Sequence, residues 1–252
     1  MKLFKQTQQK RGGHFVKGKL YGIGVGPGDP ELLTLKAVKV LRNADVIICP
    51  KGKKGVDSIA LQIAKEHINP LAEIKPQVFP MVFCQDTLES HWEENIKEIE
   101  TDIDKGKNVA FITLGDPLLY STYIYVLKVL KERNYDIETL PGITSFGATA
   151  STVNLPLTEG DETLTILPLV KDREAMEKVI ATSDNLVVLK VSHDPKGLAE
   201  ILRKYDLHKN FVMISKCGHG DENITSDIKD LEEKEVPYLS TVIIKKGGKF
   251  HD

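Results

Sequence analysis

The sequence predicts an α/β protein, with a mostly parallel sheet covered on both faces in its first half and a further, mixed α/β lobe in its second. Three observations carry this. Short apolar runs alternate with helix-length amphipathic segments, the signature of strand–helix–strand crossovers. Glycine-rich turns, "GVGPGDP" at 24–30 and "GDP" at 115–117, stand where apolar runs end. The chain has 252 residues, 41% of them hydrophobic, which is enough for two compact cores.

In chain order, "LYGIGV" (20–25) reads as a strand. Asp29 and Pro30 then start a helix, an N-cap acceptor followed by a ring whose missing N–H has no intrahelical partner there. Leu33, Ala37, Val40, Leu41 and Ala44 keep helical spacing to about residue 44. A strand follows at "DVIIC" (45–49), then a helix near 57–68, a strand near 77–83, a polar-faced helix near 87–104 and the strand "NVAFITL" (108–114). Asp116 and Pro117 start the next helix, with Leu119, Tyr123, Val126, Leu127 and Leu130 on one stripe. The strand "DIETL" and the turn "PGITS" (141–145) close the first half.

The second half opens on a small-residue helix, "SFGATASTV", and adds strands near 163–167, 185–191, 210–215 and 238–246 with helices near 172–181 and 195–204. Lobes at 19–142 and 143–249 are expected, with the active site in the cleft between them. Residues 1–18 read as a basic, mobile extension.

Composition narrows the partners. A net charge of −2 gives the surface no general attraction for nucleic acid or anionic membrane, so an anionic ligand needs a local basic patch. Cys49, Cys84 and Cys217 are odd in number and far apart, which argues against a disulfide framework or a zinc site and fits a reducing cytosol. No apolar run approaches the roughly 20 residues of a membrane span, and "MKLFKQTQQKRGGHFVKG" lacks the apolar core of a signal peptide.

The first glycine loop invites a dinucleotide reading and fails it. After Gly24 and Gly26 the third fingerprint position is Asp29, with Gly28 one residue early. The acidic residue expected at the end of the second strand is also missing: Asp45 is at its start and Cys49-Pro50 at its end. The loop is either a tight strand-to-helix turn or a surface where backbone N–H groups meet a ligand closely.

"GVGPGDPELLTLKAVKVLRNADVIICP", "GDPLLYSTYIYVLKVL" and "LPGITSFGATASTVNLPLTEGDETLTILP" together resemble the tetrapyrrole methylase family over about residues 19–247. They are most similar to the branch that methylates C20 of precorrin-2 or cobalt-factor II on the route to cobalamin. The resemblance implies a two-lobed α/β fold, a cytoplasmic homodimer, S-adenosylmethionine in the cleft and a tetrapyrrole substrate in an adjoining trough. It implies no nucleic acid, no membrane and no protein-held metal.

By the same resemblance, Gly115, Asp116 and Pro117 with Ile143, Thr144 and Ser145 hold the cofactor, joined by Tyr120, Ser121 and Thr122. Gly24, Gly26, Gly28 and Asp29 line the trough. Strand ends add Pro50, Leu167, Pro168, Leu189, Lys190, Ser215, Lys216, Ser240 and Thr241 as cofactor contacts. Asp116 equally reads as a plain helix cap. Lys51, Lys53 and Lys54 of "PKGKKG" are candidates for the substrate's carboxylates, or a solvated loop. Val191, Cys217, His193 and His219 lie at or just beyond strand ends.

A sulfonium methyl and an electron-rich bridge carbon ask mainly for alignment, so no catalytic base is nominated. Relatives that methylate other corrin carbons, a diphthamide precursor or ribosomal RNA are the alternatives, with a non-catalytic ligand-binding protein as a fourth. One Trp and a net negative charge disfavour RNA.

Overall fold

The computed structural model describes residues 17–51, 58–79, 85–169 and 172–247, without the side chains of 85–91. The expected N-terminal extension, except residues 17 and 18, together with Lys53, Lys54 and Cys84, lies outside the described residues. The chain forms two compact units. The first comprises residues up to Ile23, Leu35–Thr113 and Tyr120–Leu140; the second comprises Gly24–Thr34, Leu114–Leu119 and Pro141 onward.

The first unit is built on β1 (Leu20–Gly24), β2 (Val46–Lys51), β3 (Glu73–Val78), β4 (Val109–Thr113) and β5 (Ile137–Leu140), in the order β3-β2-β4-β1-β5. The pairings of β1 with β5 and of β2 with β3 and β4 are parallel. Parallel sheets need cover on both faces, and the strands read accordingly as continuous apolar runs. Val46, Ile48, Val109 and Phe111 join Leu20 in one core with Ile99 and Ile103 of α3 (Gln85–Asp104) and Tyr123, Val126 and Leu130 of α4 (Tyr123–Glu132). Ile47, Ala110 and Ile112 alternate with them and are also fully buried. Ala37 and Leu41 of α1 (Leu35–Leu41) and Ile63 and Ala64 of α2 (Ile59–Ala64) are buried too.

Three expectations for this unit need correction. The helix expected over 30–44 is interrupted: Pro30–Leu32 form one 3-10 turn, Leu33 is extended at φ −64 and ψ 133, and α1 begins only at Leu35. Strand β3 occupies 73–78 rather than 77–83; it is an edge strand, hydrogen-bonded on one side, where Pro76 is tolerated. Asp116 and Pro117 start no helix. The chain turns through 116–122, with Tyr120 left-handed at φ 50, and α4 starts at Tyr123.

The second unit carries a mixed sheet of β6 (Leu164–Pro168), β7 (Asn185–Leu189), β8 (Phe211–Ser215), β9 (Asn223–Thr225) and β10 (Ser240–Lys245), ordered β6-β7-β10-β8-β9. β6 and β7 are parallel, and β10 runs antiparallel between β7 and β8. Side-chain alternation separates two cores. Leu186, Val188, Phe211, Met213, Val242 and Ile244 pack with Met176 and Ile180 of α6 (Arg173–Thr182), Leu198 and Leu202 of α7 (Pro195–Lys204) and Leu231 of α8 (Ile228–Glu232). Val187, Val212, Ile214 and Ile243 pack against Ala148 and Ala150 of α5 (Ser145–Thr152).

Side-chain caps start these helices: Thr144 accepts from Gly147 N–H, Asp172 from Ala175 N–H and Asp194 from Gly197 N–H. Strand β9 and helix α8 have no counterpart in the sequence reading. Among the described residues no helix is long and apolar enough to cross a membrane.

Candidate functional site

Within the second unit, three glycine-bearing segments meet backbone to backbone. Gly26 and Gly115 form an isolated antiparallel bridge, with Gly115 N–H donating to Gly26 O at 2.8 Å and Gly26 N–H to Gly115 O at 3.3 Å. A Cβ on Gly24 would lie 2.5 Å from Gly115 O and 2.6 Å from Gly142 N, and one on Gly142 would lie 2.1 Å from Gly115 O. Glycine is required at both because neighbouring backbone occupies the space. Gly28 is equally enclosed: its Cβ would fall 2.4 Å from Cys217 O and 2.7 Å from His219 Cδ2. The space beside Gly24 and Gly28 is thus filled by the protein itself.

Gly115 is the exception. Its backbone is left-handed at φ 67, and a Cβ there would meet nothing within 4 Å. Leu118, 55% exposed, and Ile143, 39% exposed, are large apolar side chains on the same loop and on the 141–145 turn. Asp116 ties those two segments together: Oδ1 accepts the Leu118 N–H at 2.9 Å and Oδ2 the Gly142 N–H at 3.1 Å. Pro117 is buried beside it.

The far strand ends form a row. Register aligns Pro168 with Leu189, Leu189 with Thr241 and Ser215 with Ser240. The Thr241 hydroxyl donates to Ser145 Oγ at 3.1 Å, which brings the start of α5, with Thr144 as its cap, to this end of the sheet. Ser240 Oγ donates to Pro237 O at 2.7 Å, leaving Ser215 Oγ to donate to Ser240 at 2.8 Å. Lys190 and Lys216 follow β7 and β8 in left-handed conformations at φ 57 and φ 55. Lys216 pairs with Asp221, and that hydrogen bond holds the Asp221 carboxyl below the ordinary carboxylate range. Burial pushes the Cys217 thiol up. Nε2 of His219 is buried with no hydrogen-bond partner among the described residues.

Several further candidates belong to the first unit. Pro50 and Lys51 end β2, pairing in register with Gln77 and Val78. Ser121 is buried, shares a hydrogen bond with Thr113 Oγ1 at 2.9 Å and accepts the Tyr123 N–H; Tyr120 is 45% exposed. Thr122 precedes α4 without a side-chain cap. In the second unit, Leu167 precedes Pro168 in β6, Asp29 accepts the nearby Glu31 N–H at 2.8 Å, and Val191 and His193 bound a 3-10 turn after Lys190.

The sequence reading named Cys217 and His219 beyond a strand end but missed two contributors, Gly142 and Gly218. Gly142 is visible in "PGITS", and Gly218 in "CGHG", only as turn glycines. Among the described residues no group of three or more His, Cys, Asp or Glu side chains is placed to hold a metal ion.

A parallel sheet in one unit, a mixed sheet in the other and two Gly-Asp-Pro loops joined by a glycine bridge define an α/β protein whose glycine loops follow strand ends without a dinucleotide fingerprint. The chain belongs to the Tetrapyrrole (Corrin/Porphyrin) Methylases, whose family profile matches residues 19–232. It is 39% identical over 232 residues to a protein of Methanocaldococcus jannaschii named "Probable cobalt-precorrin-2 C(20)-methyltransferase", covering 90% of this chain and 96% of that one. It is 30% identical over 236 residues to the cobalt-precorrin-2 C(20)-methyltransferase of Salmonella typhimurium, covering 93% and 99%. Among solved structures, a cobalt precorrin-4 methyltransferase of cobalamin biosynthesis matches with a TM-score of 0.72 and 25% identity, over 90% of this chain and 94% of that one.

Proposed function

We propose that this protein transfers the methyl group of S-adenosylmethionine to C20 of precorrin-2 or its cobalt complex in cobalamin biosynthesis. The observation that carries this reading is the 39% and 30% identity, over nearly the full length of both chains, to two proteins named for that carbon. The residues fit the cofactor. The open face of Gly115, flanked in its own unit by exposed Leu118 and by Ile143, suits an adenosyl group, and Thr144 and Ser145 supply hydroxyls beside it.

S-Adenosylmethionine supplies a sulfonium-bound methyl and an excellent leaving group. The protein's task is alignment, which is worth ~7–11 kcal/mol when reacting atoms are held in line. Gly115, Pro117 and the 143–145 turn position the cofactor with the strand-end row of their own unit; Pro50, Tyr120, Ser121 and Thr122 are the first unit's candidates for it. Gly24, Gly26, Gly28 and Asp29 hold the loop on the substrate side, and Lys51 offers a cation for a carboxylate-fringed macrocycle. The proton displaced from C20 passes to water or a polar side chain.

The family resemblance further supports a homodimer. Cys49 and Cys217, buried free thiols, accord with a cytoplasmic, reducing setting. Incubation with ¹³C-methyl cofactor and precorrin-2, with and without cobalt, is expected to place label on C20. Label on another ring carbon, or turnover only with RNA, refutes the reading.

A further inference from the structure

We propose that Asp116 is a positioning residue: its carboxylate locks the Gly115 loop to the 142–145 turn. Both oxygens are taken by backbone, one by the Leu118 N–H at 2.9 Å within its own loop and the other by the Gly142 N–H at 3.1 Å, 26 residues away. The second bond is the tertiary one. It holds Gly142 where its missing Cβ lets Gly115 O and Gly24 approach, and Ile143, Thr144 and Ser145 follow it directly into α5.

Asp29 provides the internal contrast. It stands in the same Gly-Asp-Pro spelling, yet among the described residues its side chain accepts only from Glu31 N–H, two residues on. The two motifs therefore differ in what their carboxylates do: one caps a local turn, the other joins distant segments. Hydrogen bonds from N–H groups to an ionised carboxylate are short and strong, which suits a clamp that must fix two loops before a cofactor arrives.

The clamp rests on the methyltransferase reading only for what it positions. Asp116→Asn keeps the shape and one acceptor but turns a donor toward one of the two N–H groups. In the ligand-free protein, amide exchange across 142–145 should then quicken at least tenfold. S-Adenosylmethionine and S-adenosylhomocysteine, measured by calorimetry, should both bind at least tenfold more weakly and by similar factors. A direct contact to the cofactor would instead leave ligand-free exchange unchanged, and that result overturns the proposal.

If Asp116→Asn fails to fold, the wild-type protein still decides. By NMR the Leu118 and Gly142 amide protons should both exchange at least tenfold more slowly than in unfolded peptide, and an unprotected Gly142 amide overturns the clamp. Should the wild-type protein bind neither compound, the methyltransferase reading falls, while amide exchange still judges Asp116.

Discussion

Gly142→Ala tests whether the glycine meeting is a steric requirement. The new Cβ would lie 2.1 Å from Gly115 O and 2.7 Å from the Gly24 carbonyl carbon, both backbone atoms that cannot rotate away. Real Cβ contacts essentially never fall below 3.0 Å, so Gly115 O must retreat by at least 0.9 Å, the difference between the two distances. That oxygen accepts the Gly26 N–H at 3.3 Å, a bond with little slack. Overpacking costs about 1–3 kcal/mol and a lost hydrogen bond about 1 kcal/mol. The less flexible unfolded chain returns about 0.4–1 kcal/mol, leaving a net loss of about 1–3.5 kcal/mol in urea unfolding. Gly115→Ala is the control. It has open space but a left-handed backbone, which costs an L-residue about 1–2 kcal/mol, partly offset by about 0.4–1 kcal/mol in the unfolded state. Its methyl projects into the space assigned to the cofactor, so S-adenosylhomocysteine affinity should fall at least about tenfold while stability falls by no more than about 1.6 kcal/mol. An unfolding free energy for Gly142→Ala within about 0.5 kcal/mol of wild type would refute the packing argument. Unchanged affinity in Gly115→Ala would refute the placement of the ligand.

Other expectations test the scaffold. Lys245 is buried at the end of β10, where its ammonium donates to Pro156 O at 3.2 Å and pairs with Glu159 and Glu162; Lys245→Met should cost about 1–2 kcal/mol and speed proteolysis at 156–162. Wild-type proteolysis rates there would count against that clasp. Burial pushes the Asp102 carboxyl up, but hydrogen bonds from Lys75 and Lys107 outweigh it and hold it below the ordinary carboxylate range. Its stabilisation is therefore complete above the unfolded value of about 3.9 and disappears as pH falls through the lower folded value. Asp102→Asn should be less stable at pH 7 yet flatter in its acid unfolding, and parallel acid profiles would exclude the linkage. Burial pushes the Cys49 thiol up to about 12, so at pH 8 it should resist iodoacetamide in the native protein and label only on unfolding, as peptide mapping would report.

The legible parts of the fold are those whose physics is local. β1, β2, β4, β7, β8 and β10 are buried in sheet interiors and must be apolar, so their runs stand out. β3 does not: at a sheet edge it is hydrogen-bonded on one side, and "EIKPQV" carries two charges and a proline. β9 is three residues long, too short for any period to register. Asp116-Pro117 is spelled like a helix start, but the carboxylate that would cap the helix is drawn off by Gly142. The same limit governs the candidate site. "GVGPGDP" and "GDP" announce loops at strand ends; that Gly24 must fit Gly115 and Gly142, and Gly28 must fit Cys217, depends on approaches spanning 90 residues or more. Of the lysine loop, only Lys51 lies within the described residues together with its strand.

The place of β10 bears on the order in which the chain can mature. It is the last strand in sequence among the described residues, yet it lies in the middle of its sheet, and β7 and β8 bond to it rather than to each other. As the polypeptide leaves the ribosome, the first parallel sheet has all its strands once residue 140 is clear, some hundred residues before residues 240–245 appear. During that interval β7 and β8 have a gap where their shared neighbour belongs, and Thr241 is not yet available to Ser145. Domains tend to fold as units in order of synthesis. The first unit can therefore set early, whereas the second, with the loops 24–34 and 114–119 that it recruits, consolidates only after translation is nearly finished. Exposed strand edges in that window are where a holdase chaperone would bind and where a stalled or truncated product would aggregate.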